Sequence, residues 1–246
     1  IEQYTIFELE LKGPSAGNPF NDVEVSAEFK LMNRSLFCEG FYDGEGIYKI
    51  RFMPDQTGEW TYTTKSNIPQ LDSKKGSFTC TKPTEGNHGP VKVRNTYDFG
   101  YADGTPYYPV GTTCYAWVHQ PEELVNQTLA TLSGTAFNKI RMTVMPKNYY
   151  VYINNEPPLY PFEGSKEKGW DFSRPNPAFF RNFEQKILEL QKLGVEADVI
   201  LFHPYDWGKW NMDKMNPEQA AFYLRYLIAR IAAYHNVWWS MANEYD

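Results

Sequence analysis

The chain has 246 residues, 42% of them apolar, and a formal net charge of −6. That length suits one large domain or two modest ones. No stretch approaches the ~18–20 uninterrupted apolar residues of a membrane helix, since the most apolar run, 220–233, is broken by Arg225 and Arg230. With no basic stripe to follow a phosphate backbone, nucleic acid is excluded as a partner. Cys38, Cys80 and Cys114 lie far apart with no CxxC and no histidine cluster, which predicts three buried thiols, the alternative being a Cys38–Cys80 pair on neighbouring strands, and implies neither a metal nor another cofactor. Aromatic residues make up 17% of the chain. They fill cores first, and an excess of Trp and Tyr also suits a cleft that stacks on sugar rings.

The first 83 residues read as short strands separated by turns. Residues 4–12 alternate until Gly13-Pro14 and Gly17-Asn18-Pro19 interrupt them. In Val23–Leu31, Val23, Val25, Ala27, Phe29 and Leu31 face one way, and Glu24, Ser26, Glu28 and Lys30 the other. Further strands are predicted at 35–41, 46–52, 58–64 and 76–81. Several short alternating strands without a helical pattern predict a β-sandwich of the immunoglobulin-like type over residues 1–83. Residues 84–90, within PTEGNHGP, are polar and rich in Gly and Pro, and read as a linker.

Beyond the linker, over 91–246, the pattern changes. A strand is predicted at 107–111, followed by a helix with Pro121 at its first position, Glu122 and Glu123 behind it and Gly134 at its end. A second strand covers 137–145, and a long loop runs to Pro175. Asn176-Pro177 opens a helix whose apolar face is Phe180, Phe183, Ile187 and Leu190. A third strand covers 195–202. Asn216-Pro217-Glu218-Gln219 then starts a helix with a capping box, its stripe being Leu224, Leu227, Ile228 and Ile231. A fourth strand runs 237–242. Strands alternating with helices predict successive βα units and a parallel sheet.

In barrels of such units the reactive groups sit where strands end. The four ends deliver Cys114–His119, then Arg141 with Pro146–Tyr150, then His203-Pro204-Tyr205-Asp206-Trp207, then Asn243-Glu244-Tyr245-Asp246. All are polar and aromatic, while the strand bodies are apolar. The segment NVWWSMANE resembles the fourth strand of the retaining (β/α)8 glycoside hydrolases, which ends in Asn-Glu. FNKIR is similar to that clan's Arg-bearing second strand, and His203 to a frequent active-site His of its cellulase-like members. KGPSAGNPF, GFYDGEGIYKIRFMPDQTGEW and GTTCYAWVHQ resemble a bacterial group of glycosidases with an N-terminal sandwich fused to such a barrel.

The resemblance implies the first half of a TIM (β/α)8 barrel over 91–246 and a carbohydrate substrate. It makes Glu244 the catalytic acid/base and sets Asn243 against the sugar 2-OH, with Arg141 and His203 beneath the sugar. His119, Tyr205 and Trp207 complete the expected substrate-binding set. The clan's nucleophile ends a seventh strand, so the expectation is a chain cut after strand four, lacking that carboxylate and inactive alone. A competing reading is a carbohydrate-binding or scaffold module with a non-catalytic barrel remnant. A metal-dependent hydrolase would need His-x-His after strand one, which is absent. The sequence leaves oligomeric state open, and compartment too: cytoplasm, periplasm or outside.

Overall fold

The computed structural model of the chain describes residues 1–148, 156–203, 206 and 208–244. They divide into two units, Ile1–Tyr107 with Phe222–His235, and Tyr108–Ala221 with Asn236–Asp246. In the first, the predicted alternation becomes β1 (Phe7–Lys12), β2 (Val25–Leu31), β3 (Arg34–Tyr42), β4 (Ile47–Phe52), β5 (Gly58–Ser66) and β6 (Lys75–Cys80). The break after β1 contains a short helix, α1 (Pro19–Asp22), which the sequence reading left as a turn.

These strands form one antiparallel sheet in the order β1-β4-β3-β2-β5-β6. The sheet curls on itself. The fold-over runs through β3, whose Arg34–Glu39 pairs with β2 and whose Gly40–Tyr42 pairs with β4. Gly40 sits at that switch because a Cβ there would meet Ile50 Cγ1, the Lys49 carbonyl and Val25 Cγ1, each at 2.8 Å. Curling brings the outermost strands together: Phe7 of β1 stacks on Phe78 of β6 at 4.1 Å between ring centres. Thr81 extends the closure, donating its N–H to the Ile1 carbonyl (2.8 Å) and accepting from Gln3 N–H (2.9 Å). Inside lie Ala27, Phe29, Tyr48, Ile50, Trp60 and Leu71, all fully buried, so desolvation of large apolar groups holds this unit together.

The same unit carries a buried charge network. Arg230, on α4 (Pro217–Ile231), is 0% exposed and pairs with Asp43 at 2.8 Å. Arg51 donates to the Arg230 carbonyl (2.7 Å) and to Glu8 (2.7 Å). Both guanidinium groups lie over the Phe41 ring, at 5.0 and 4.4 Å. The predicted stripe of α4 needs correction here: Leu227 and Ile231 are buried, Leu224 is half-buried, and Ile228 is exposed while Arg230 is sealed. A guanidinium with that many partners outcompetes an isoleucine for a buried place. Burial also holds His235 below the usual histidine range.

The predicted linker runs directly into a three-stranded antiparallel sheet, β7 (Val91–Arg94), β8 (Asp98–Tyr101) and β9 (Pro106–Tyr107), which groups with the first unit. The first parallel strand is therefore β10 (Gly111–Thr113) rather than 107–111. The remaining strands of the second unit are β11 (Lys139–Thr143), β14 (Glu196–Phe202) and β15 (Val237–Ala242), all parallel in the order β10-β11-β14-β15. The long loop contains a hairpin that the sequence reading missed, β12 (Phe162–Ser165) with β13 (Gly169–Pro175). The connections contain α2 (Glu122–Ser133), α3 (Pro177–Lys192) and α4. Pro121 precedes α2 as its N-cap instead of occupying the first turn.

The α3 face holds as read, with Phe180, Phe183, Ile187 and Leu190 all at 0% exposure. Its N-cap Asn176 accepts from Ala178 N–H at 3.1 Å and donates to the Tyr160 carbonyl at 2.9 Å. Asn216 and Gln219 make the reciprocal capping box of α4 at 2.8 and 3.0 Å. The three cysteines are unpaired, and burial pushes Cys38 up to about 11 and raises Cys80 and Cys114.

Two stability measurements follow from these contacts. Asn176→Ala removes a side-chain cap and should cost about 1 kcal/mol in urea unfolding. Asp43→Ala leaves the Arg230 charge buried without its carboxylate and should cost about 3–5 kcal/mol. Adding Arg230→Met to Asp43→Ala should recover a large part of that loss, and no recovery would mean that the charge itself is not the cost.

Candidate active site

Parallel pairing sends the C-terminal ends of β10, β11, β14 and β15 to one edge of the sheet. The pairing continues past the strands. Cys114 N–H donates to the Arg141 carbonyl at 3.0 Å, Thr143 N–H to the Tyr115 carbonyl at 2.9 Å, and Asn243 N–H to the Phe202 carbonyl at 3.0 Å. The backbone thus fixes Tyr115, His203 and Asn243 before any side chain acts.

Asn243 is 5% exposed, and its Oδ1 accepts from Tyr115 Oη at 3.2 Å. Its amide N–H groups are thereby aimed away from Tyr115. Glu244 follows with an exposed side chain and a left-handed backbone (φ +49°), a conformation that costs a non-glycine residue energy and recurs at functional sites. Lys147 Nζ lies 4.1 Å above the Tyr115 ring. Burial lowers the Lys147 pKa, and the Glu244 charge opposes that shift. Tyr115, Lys147, Asn243 and Glu244 therefore form one cluster of an amide, a carboxylate, a cation and an aromatic ring.

The two histidines lie deeper. His203 is 1% exposed and its Nε2 sits 3.0 Å from the Pro146 carbonyl. His119 is 5% exposed, with Nε2 3.3 Å from the Thr143 carbonyl and its ring stacked on Phe179 at 5.7 Å. A carbonyl only accepts, so both rings carry their proton on Nε2. Burial holds His119 down to about 3 and His203 to about 4; both are neutral at pH 7. They staple the carbonyls on either side of the β11 exit, which launches Lys147.

Arg141 occupies the middle of β11, in register with Thr113 and Asp198. Its Nη2 reaches Ser240 Oγ at 3.5 Å, and Ser240 donates to Asp198 at 2.8 Å. Arg141 Nε is buried with no hydrogen-bond partner among the described residues. Below this, Lys139 pairs with Asp198 at 3.2 Å and lies 3.8 Å over Trp238, whose indole donates to Glu196 at 2.9 Å. Burial pushes Glu196 up to about 7. One face of the sheet is thus charged, while Ile140, Met142, Ala197 and Val199 on the alternate positions are fully buried.

Tyr205 and Trp207 lie outside the described residues. Sequence reasoning missed Tyr115, Lys147 and Asp206 as individual residues, although all three stand in the strand-end segments. Asp206 is 1% exposed and accepts from Gly208 N–H (3.0 Å) and Trp210 N–H (2.7 Å), so its carboxylate organises its own loop. Among the described residues no cluster of His, Cys, Asp and Glu is arranged to hold a metal ion, and no helix is long and apolar enough to cross a membrane.

Residues 94–246 match the family described as the apiosidase-like catalytic domain, which is more than half of the chain. The chain belongs to that family. Residues 1–67 match a domain of unknown function, DUF5060. A Bacteroides vulgatus protein provisionally described as a glycoside hydrolase is 49% identical, with a TM-score of 0.94 over 99% of this chain and 49% of that one. The chain therefore spans about half the length of that relative. More distant are a family 5 glycoside hydrolase of the same organism (16% identity, TM-score 0.45, 62% of this chain, 32% of that) and an endo-1,4-β-D-mannanase of Thermotoga petrophila (13%, 0.39, 56% and 46%). Neither is close enough to carry an argument. No curated protein matches the chain.

The buried histidines make a measurable prediction. The unfolded chain protonates a histidine near 6.5, whereas folded His203 resists down to about 4. The folded state therefore binds fewer protons in that window, and stability falls as pH drops through it. Relative to the parent, His203→Gln should flatten the dependence of unfolding free energy on pH between 6.5 and 4 by about 1.4 kcal/mol per pH unit. Identical slopes would show that His203 titrates normally.

Proposed function

We propose that the protein is a glycoside hydrolase that cleaves O-glycosidic bonds of oligo- or polysaccharides with retention, Glu244 serving as acid/base. The observation that carries this reading is the shared strand-end edge, where Asn243 and Glu244 stand beside Tyr115 and Lys147. Family membership and the description of the Bacteroides vulgatus relative support it.

In this reading Glu244 protonates the leaving oxygen while a second carboxylate, about 5–5.5 Å away, attacks the anomeric carbon. Glu244 then takes a proton from the water that hydrolyses the covalent glycosyl intermediate. No residue of this chain is assigned as that nucleophile. Tyr115 fixes the orientation of the Asn243 amide by donating to its oxygen, and Asn243 hydrogen-bonds the sugar 2-OH in this reading. Arg141 sits beneath the sugar and offers its uncommitted Nε–H to a carboxylate. His203 and His119 contribute by holding the Pro146 and Thr143 carbonyls rather than by touching substrate.

The same reading takes β10, β11, β14 and β15 as the first four strands of a (β/α)8 barrel. It takes residues 1–83 as an immunoglobulin-like accessory domain.

The test is an aryl-glycoside panel that includes an apioside, assayed on the intact protein that carries this chain. Glu244→Ala should lose about 10²–10⁴-fold in turnover. Azide should restore part of it on substrates with good leaving groups, giving a glycosyl azide of retained configuration. Unchanged turnover in the variant would remove Glu244 from the chemistry, and an inverted product would remove the two-step route.

A further inference from the structure

We propose that the groove lined by α1, β2, β3 and the Phe222–Tyr226 segment of α4 is a second carbohydrate site, one that binds a neutral oligosaccharide without cleaving it. The groove lies wholly within the first unit and holds a volume of about 460 Å³, within the usual range for small-ligand sites.

Its wall is aromatic and rigid. Phe20 stands edge-on to Tyr42 at 4.9 Å and to Tyr226 at 5.8 Å, and Phe222 stacks on Tyr226 at 6.3 Å. The supporting tyrosines are locked in turn: Tyr226 Oη donates to the Tyr42 carbonyl (3.0 Å) and accepts from Arg230 (2.9 Å), while Tyr42 Oη accepts from Gly46 N–H (3.1 Å). Phe20 and Phe222 are only half-buried, so their rings are held ready for a ligand at little ordering cost. The apolar C–H face of a pyranose ring is the natural partner of such a surface.

The rim supplies the complementary polar groups. Glu24 and Glu39 offer carboxylates and Arg225 a guanidinium, all exposed, and none has a hydrogen-bond or ion-pair partner for its side chain among the described residues. A sugar needs this combination, since each hydroxyl both donates and accepts. Two carboxylates against one guanidinium also leave a negative rim, which disfavours uronate-rich or sulfated chains and favours neutral ones.

The experiment is calorimetric titration of the Glu244→Gln protein with cellohexaose, xylohexaose, mannohexaose and an oligogalacturonate. At least one neutral hexasaccharide should bind saturably, and the oligogalacturonate should not. Phe222→Ala should weaken that binding by about tenfold. Glu39→Gln, an exposed and conservative change that leaves the fold intact, should weaken it as well. No neutral sugar bound at millimolar concentration, or affinities that ignore both substitutions, would overturn the proposal and leave the groove as a protein contact. A preference for oligogalacturonate would overturn it too. These outcomes are independent of the Glu244→Ala turnover assay, so this site and the catalytic reading fail separately.

Discussion

Strands that run in the same direction deliver their C-terminal residues to the same edge, and the parallel pairing of β10, β11, β14 and β15 does so here. Everything proposed about the site depends on that pairing. Asn243 is held by its own N–H on the Phe202 carbonyl, and Tyr115 by its carbonyl on Thr143. The two residues then meet side chain to side chain although they are 128 positions apart in the chain. A one-residue slip of β15 against β14 would turn Asn243 to the other face and break that contact. Register is protected by the contrast between the two faces of the sheet. Moving Lys139, Arg141 and Asp198 onto the side of Ile140, Met142 and Val199 would strip charged groups of water and of one another.

That charged face is an arrangement of partners more than a source of stability. Lys139, Asp198, Ser240 and Arg141 form a connected series, and Trp238 ties Glu196 to it. Pairs of this kind roughly offset their own desolvation. Their effect is specificity, because each strand is fixed against its neighbour by a contact that only one register makes. The apolar side, with α3 and its phenylalanines, supplies the net burial.

Much of this was legible in the sequence, and the parts that were not share a cause. Val25–Leu31, the α3 face with its Asn176 cap and the capping box of α4 follow from local periodicity and local hydrogen bonding, which a sequence displays directly. The curl of the first sheet depends on Gly40 and on Phe7 meeting Phe78, contacts between residues far apart, and so it could not be read. The hairpin at 162–175 and the sheet at 91–107 have short strands with weak alternation. Arg230 reads only as a break in an apolar run because nothing nearby in sequence announces Asp43 or Phe41. At the site, the strand-end rule singled out segments that the parallel sheet brings to one edge, but it could not rank residues within them. Lys147 and Tyr115 gain their importance only from Asn243 and Glu244.

Lys147 also changes how the histidines are understood. Burial lowers the His203 pKa, and the Lys147 charge adds to that shift. The His203 Nε2–H donates to the carbonyl of Pro146, the residue immediately before Lys147. The neutral imidazole therefore positions the cation, and the cation helps to keep the imidazole neutral. Electrostatics and geometry reinforce each other across a single peptide bond. A site built this way tolerates acid poorly, because protonating His203 would set two positive charges against each other at the exit of β11 and loosen the loop that holds Lys147 beside Glu244.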